Sequence, residues 1–295
     1  MRALGVPRLK HWHTVAIRRE VDEAVAWLTK HPDYDQVLRR SVYGALEFYD
    51  ANPALGLIFQ DIGTFGLGIL ALYLDATGGI THRRLAELGT TSSILSTGRA
   101  SAIIGLMRIK GLAYREGSGK HTRYLPTERL TYFFRERFRV ELSALATVEP
   151  ELLSVLERWH ESDAASRFWS FFGAELMRGT QEPVEDIRSF ETISEHRAGF
   201  LIVFDLLRRA DRGAEFPPLS PFEIVVSETA RRFSVSRAHM RRMMDRFEKD
   251  GFMLRDQSTG AGRLLPELHT KFRKYVALLH LGVLASSYEV MRPFE

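Results

Sequence analysis

The feature that most constrains this chain is an internal repeat. Gly111-Leu112-Ala113-Tyr114-Arg115-Glu116 is echoed by Gly251-Phe252-Met253-Leu254-Arg255-Asp256, and Arg123-Tyr124-Leu125-Pro126 by Arg263-Leu264-Leu265-Pro266. Each pair is separated by 140 residues, so no residue is inserted or lost between these landmarks. The same offset joins Ser96 to Ser236, each at the head of a helical pattern. Self-similarity at a fixed offset implies two copies of one supersecondary unit, and only folds that carry such a unit twice remain available.

Both copies read in the same order. In the first, helical spacing begins near Ile62 and stops at Thr77-Gly78-Gly79, and Thr81 is placed to cap a short helix over 82–88. Ser96 or Thr97 then caps a helix that runs through Lys110 and is terminated by Gly111. Strand-like segments at 112–115 and 122–125 flank a polar tip, and a long helix is expected over 128–145. In the second copy a helix over 197–212 leads into a loop at 213–222 that holds Pro217, Pro218 and Pro221. Ser227 is expected to cap a short helix over 228–233, and Ser236 the next, over 237–250, which Gly251 ends. Strands at 252–255 and 263–265 and a final helix over 267–286 complete the copy. Two helical stretches, 17–30 and 35–49, precede the repeat. The segment 148–195 between the copies holds further helical stretches and the aromatic residues Trp159, Phe168, Trp169, Phe171 and Phe172. These are expected to form core between domains, with the lining of a small-molecule pocket as the alternative.

Helix, helix, turn, helix and a two-stranded wing is the order of a winged helix-turn-helix. The stretch Val226-Ser227-Glu228-Thr229-Ala230-Arg231-Arg232-Phe233-Ser234-Val235-Ser236-Arg237, continuing from Met243 through Phe252, resembles the core of MarR-type bacterial transcriptional regulators. The first copy is similar from Leu85-Ala86-Glu87-Leu88 to Gly111-Leu112, and Arg123-Tyr124-Leu125-Pro126-Thr127 is similar to the wing-to-helix exit of that family. The expected fold is therefore mainly α with small β-wings: two winged helix-turn-helix domains joined by a helical connector. Residues 1–60 would form an N-terminal helical segment, 61–145 winged-helix domain 1, 146–195 the connector, and 196–295 winged-helix domain 2 with its C-terminal helix. Members of the family are usually homodimers with one such domain per subunit. A tandem pair departs from that pattern, which leaves both a homodimer and an intrachain pseudo-dimer open.

The two copies differ where chemistry would reside. In the second, Met240, Met243, Met244 and Phe247 recur at helical spacing and form a core stripe, which turns Arg237, Ala238, Arg241, Arg242 and Asp245 outward. The N-terminal residues of the second helix of such a motif do most of the base reading, and arginine can grip guanine O6 and N7 with two hydrogen bonds. Ser236, Arg237, His239, Arg241 and Arg242 are accordingly the leading candidates for DNA contact. The matching stripe of the first copy is Ala100, Ile103, Ile104 and Met107, and its outward face is Gly98, Ser101, Ala102 and Gly105, with Arg99 and Arg108 at the flanks. Small residues admit close approach of a phosphate backbone or, equally, of another helix. Arg99 and Ser101 are candidates there, joined by Arg115, Lys120, His121 and Arg123 on the first wing and Arg263 on the second. Contacts of the wing type fix register and carry no sequence information.

Composition narrows the classes. Net charge is +4, a mild bias, but between residues 231 and 249 stand Arg231, Arg232, Arg237, Arg241, Arg242, Arg246 and Lys249 against only Asp245 and Glu248. A local cationic cluster is the footprint of a phosphate-backbone binder. The chain has no cysteine, which excludes disulfides and thiolate zinc sites and fits a cytoplasmic location. The first seven residues carry no apolar core of the signal-peptide kind. The longest apolar run, 65–74, falls short of the roughly 18–20 residues that span a bilayer. Gly117-Ser118-Gly119-Lys120-His121-Thr122 lacks the leading glycine and the Ser/Thr after lysine of a phosphate loop, and it sits at a strand–strand tip. His11-Trp12-His13 is an incidental alternation near a terminus, and no HExxH or Gly-x-Ser-x-Gly pattern occurs. Neither an enzyme, a metal site nor a cofactor is expected. The expected partner is double-stranded DNA and the expected role that of a sequence-specific bacterial transcriptional regulator. The alternatives are a plasmid replication initiator-like DNA binder and a winged-helix protein–protein adaptor.

Overall fold

The structure is a computed structural model that describes residues 15–81, 83, 84, 87, 97–119, 122–179, 193, 196–213, 215–256 and 258–292. Within them, the side chains of 15–19, 97, 99, 100, 103, 178 and 179 are not described. The protein is mainly helical with small antiparallel sheets. Its elements in chain order are α1 (Val15–Thr29), α2 (Tyr34–Ala51), α3 (Pro53–Gly56), α4 (Ile62–Ala76), α5 (Thr97–Ile109), β1 (Ala113–Glu116), β2 (Arg123–Pro126), α6 (Glu128–Leu145), α7 (Leu152–Arg158), α8 (Ser162–Gly179), α9 (Gly199–Ala210), β3 (Pro221–Glu223), α10 (Val226–Arg232), α11 (Arg237–Lys249), β4 (Met253–Arg255), β5 (Ala261–Leu264) and α12 (Pro266–Met291).

These elements form two compact units that cut across the sequential segments expected above. Unit 1 comprises residues 1–27, 63–183 and 280–295, and unit 2 residues 28–62 and 184–279. Each unit holds the helix–hairpin core of one copy, while the end of α12, from residue 280 and expected with the second copy, falls in unit 1. The segment 28–62, expected as part of a separate N-terminal region, belongs with the second copy, and most of the expected connector belongs with the first.

In unit 1 the helix that opens the first copy, α4, is largely apolar and buries Leu67, Ile69, Leu70, Leu72 and Leu74. Its Tyr73 meets α8 at Gly173, where a Cβ would fall 2.3 Å from that of Tyr73. Glycine at this point is what lets the two helices touch. The aromatic middle segment completes the core. Phe138 on α6 contacts Phe168, Trp169 and Phe172 on α8 with ring centroids 5.0–5.4 Å apart, in the edge-to-face geometry aromatic quadrupoles favour. Trp159 is fully buried, and its indole N–H donates to the Arg135 carbonyl at 2.8 Å. Trp159, Phe168, Trp169 and Phe172 are thus core within one unit, while Phe171 is half-buried. Tyr288 near the end of α12 is tied into the same unit by a 2.8 Å hydrogen bond from its hydroxyl to Glu149, and burial raises the phenol pKa well above its ordinary value.

Unit 2 is organised around a buried carboxylate. Asp205 lies mid-way along apolar α9 with no exposed side-chain surface. It accepts from Arg208 at 3.0 Å, Arg209 at 2.8 Å, Thr229 at 3.4 Å and Arg232. A buried charge persists only when it is paired and hydrogen-bonded, and here the pairing joins α9 to α10. Arg232 also grips Asp50 on α2, and Arg39 on α2 donates to Asp211 at 2.7 Å. Burial alone would raise the Asp211 pKa, but Arg39, the Gly213 amide and Tyr43 together hold it below its ordinary value. The Met240, Met243, Met244 and Phe247 stripe is buried as the spacing predicts.

The hairpins reveal what repeated letters conceal. α5 and α11 coincide under the 140-residue offset, 13 residues each, and Gly111 and Gly251 close them with φ of +66° and +71°. The strands that follow do not stay in step. Ala113 pairs with Pro126, whereas Met253, its counterpart, pairs with Leu264, the counterpart of Tyr124. The returning strand is displaced by two residues, so Arg123 stands opposite Glu116 while Arg263 stands opposite Leu254. The following helix shifts equally, beginning at Glu128 in one copy and at Pro266 in the other. A slip of two preserves which side chains face inward, where a slip of one would invert them all. In register, Tyr124 of the first copy therefore matches Gly262 of the second.

The packing agrees with that match. Tyr124 bridges Ile80, and both are buried. Gly262 pairs with Phe222 of β3, and a Cβ on Gly262 would meet Phe222 at 2.9 Å and Ile224 at 2.7 Å. The bulk sits on the returning strand in one copy and on the added strand in the other. β3 itself was expected as loop because of its proline content; Pro221 sits at its first position, where no ladder donor is needed, and the sheet order is β3-β5-β4. Ser227 does not cap α10, which starts at Val226, two residues earlier than expected, with Val225 at the N-cap position.

Candidate nucleic-acid interface

α11 is held at its start by Ser236, whose backbone is extended and whose Oγ accepts the His239 amide at 3.0 Å. That bond satisfies one of the donors a helix N-terminus leaves open. With the methionine stripe inward, Arg237, Ala238, Arg241, Arg242, Asp245 and Lys249 are exposed. The two acidic residues of this helix that could offset the arginines are taken by a strand. Arg255 of β4 donates to Asp245 at 2.6 Å and to Glu248, and its hydrogen bond holds the Glu248 carboxyl below the ordinary range. Arg237, Arg241 and Arg242 make no side-chain hydrogen bond or ion pair with a described residue. The result is a solvent-facing row of planar guanidinium donors able to grip phosphates or base edges.

Two other members of the basic cluster are committed elsewhere. Arg232 is committed to Asp205 and Asp50, and Arg246 donates to Asp250 at 2.7 Å. His239, expected as an outward reader, is half-buried, and its Nε2 lies 3.0 Å from the Arg197 carbonyl. Burial lowers its pKa, the charges of His196, Arg242 and Arg197 lower it further, and the bond to the carbonyl opposes them. The ring is therefore neutral at neutral pH and donates from Nε2 to that carbonyl. It ties α11 to the segment leading into α9 instead of facing outward. Arg263 is exposed on the outer face of β5, where its Nε donates to the Leu219 carbonyl at 3.4 Å beside a shallow depression of about 320 Å³ shared with Arg212 and Glu215.

The first copy presents a different surface. Gly98, Ser101 and Ala102 are exposed, Gly105 is half-buried, and a Cβ on Gly98 or Gly105 would meet nothing within 4 Å. Among the described residues no other helix covers this face. Leu106 and Ile109 extend it, with Ile109 82% exposed. On the hairpin, Arg115 donates to the Thr122 hydroxyl at 3.1 Å, and Arg123 is neutralised by an ion pair with Glu116. Arg108 lies over the Tyr124 ring, 5.7 Å from its centroid. The Arg99 side chain, Lys120 and His121 lie outside the described residues.

Two residues that shape the site went unpredicted. Asp205 carries a local signal, since Arg208 and Arg209 stand three and four positions beyond it on one helix. Arg255 carries none, because its partners are set by the packing of β4 against α11. Among the described residues no cluster of three or more metal-ligating side chains occurs, and no helix is long and apolar enough to cross a membrane. No protein-family model, curated protein or solved structure matches the chain.

Proposed function

We propose that this protein is a sequence-specific double-stranded DNA-binding regulator of transcription in which α11 is the reading helix of a winged helix-turn-helix. The element order α9-β3-α10-α11-β4-β5-α12, with β5 central in the sheet, is the order such a domain requires. The observation that carries the reading is the exposed arginine row Arg237, Arg241 and Arg242, which pairs with no described residue while Arg255 engages Asp245 and Glu248. An α-helix fits the major groove, and each bidentate arginine–guanine pair contributes about 1–3 kcal/mol of discrimination. The first copy shares the α–α–hairpin–α order and supplies a second winged helix within the chain, acting in the cytoplasm beside the genome.

Enrichment of duplexes from a random pool tests this. The expected result is one preferred sequence retained at physiological salt, with affinity falling steeply as salt rises. Binding without sequence preference would contradict the proposal, and selection of iterated repeats would favour a replication initiator.

A further inference from the structure

The outward positions of α5 and α11 correspond under the offset of 140. Gly98 answers to Ala238, Ser101 to Arg241, Ala102 to Arg242, Gly105 to Asp245 and Ile109 to Lys249. Ser101, Ala102, Arg241 and Arg242 are all exposed, so the difference is one of chemistry and not of burial. A base edge is read by donors and acceptors that reach it. Glycine, alanine and isoleucine side chains have none, and a serine hydroxyl is short and serves any base. Two cations beside the first hairpin are also engaged: Arg108 lies over Tyr124 and Arg123 is paired with Glu116.

We propose that the DNA recognised by this protein carries one read block per bound chain, a non-repeated element under α11, and that unit 1 reads no bases. This rests on the DNA-binding reading above. A chain with two equivalent reading helices would select two related blocks about one helical turn apart. This chain selects a single block shorter than that spacing, and any contribution from the first copy goes to phosphates, as added affinity without added sequence.

The test is duplex selection with the full chain, followed by native mass spectrometry on the enriched duplex to count chains per block. Parallel selections use Arg241→Ala/Arg242→Ala, Ser101→Glu/Ala102→Glu and Arg99→Ala, each checked for unchanged thermal unfolding. One block per bound chain is expected, lost in the α11 variant. Both α5 variants should keep the same motif and lose less than about tenfold in affinity, as phosphate contacts alone would. Two related blocks under a single chain, or a motif altered by either α5 variant, would overturn the inference while leaving DNA recognition intact. Enrichment of no sequence by the wild-type chain would overturn the DNA-binding reading itself, and this inference with it.

Discussion

α5 and α11 are the same helix in length, offset and closing glycine, yet they expose opposite surfaces. α5 ends in a small-residue face continued by Leu106 and Ile109; α11 carries Arg237, Arg241 and Arg242. The supports differ as well. The unit that holds α5 is packed by aromatic rings, whereas the unit that holds α11 is knotted by the Asp205 carboxylate and its arginines. A repeat of fold is therefore not a repeat of surface. Buried positions must fill space and so keep their character, while exposed positions are free to diverge.

The largest expected effects fall on those supports. Asp205→Ala strands Arg208, Arg209 and Arg232 around a vanished charge and should cost about 3–5 kcal/mol, read as a lowered denaturation midpoint. A loss under about 1 kcal/mol would mean the network is ornamental and the contrast between the units false. Phe138→Ala opens a cavity among Phe168, Trp169 and Phe172 and should also cost about 3–5 kcal/mol. Retention of the wild-type midpoint would show that unit 1 does not depend on its ring cluster.

Smaller effects sharpen the account of α11. Ser236→Ala removes the cap on the His239 amide and should cost about 1 kcal/mol, with amide exchange accelerating in the first turn of α11. His239 is depressed below its ordinary pKa, so its contribution is full above the unfolded value, about 6.5, and declines as pH falls through the lower folded value. An imidazole titration midpoint at or above about 6.5 would contradict the inward placement of the ring.

The smallest effect is local to the second hairpin tip, where Asp256 accepts from the Ser258 hydroxyl at 2.6 Å and amide at 2.8 Å. These bonds, the Ser258 hydroxyl foremost, bring its carboxyl pKa to about 2. The turn is fully supported above about 3.9, the unfolded value, and loses that support as pH falls through about 2. Carboxyl ¹³C shifts report the midpoint directly, and a value near the unfolded one would remove the turn from the account.

Local structure was legible wherever a local cause set it. Apolar spacing and glycine stops placed α6 at Glu128–Leu145 and closed α5 and α11 at Gly111 and Gly251. The outward placement of Arg237, Arg241 and Arg242 followed from the methionine stripe alone. What escaped was set by pairing at a distance. β3 reads as a proline-rich loop until β5 offers it a partner, and the two-residue slip of the first hairpin is invisible in the letters because either register keeps the same faces inward. The same holds for charge. Nothing near Arg123, Arg232 or Arg255 in sequence announces that Glu116, Asp205 and Glu248 neutralise them, and the grouping of 28–62 with the second copy depends on contacts far apart along the chain.

The division between the two helices is tested most directly by the salt dependence of DNA affinity for the wild-type chain and Arg241→Ala/Arg242→Ala, measured by fluorescence anisotropy on the enriched duplex between about 50 and 200 mM salt. The account predicts a loss of about hundredfold or more and a loss of discrimination against unrelated duplex, because both base-reading forks are gone. Affinity, discrimination and salt slope that all match the wild type would place recognition elsewhere on the molecule and contradict the account.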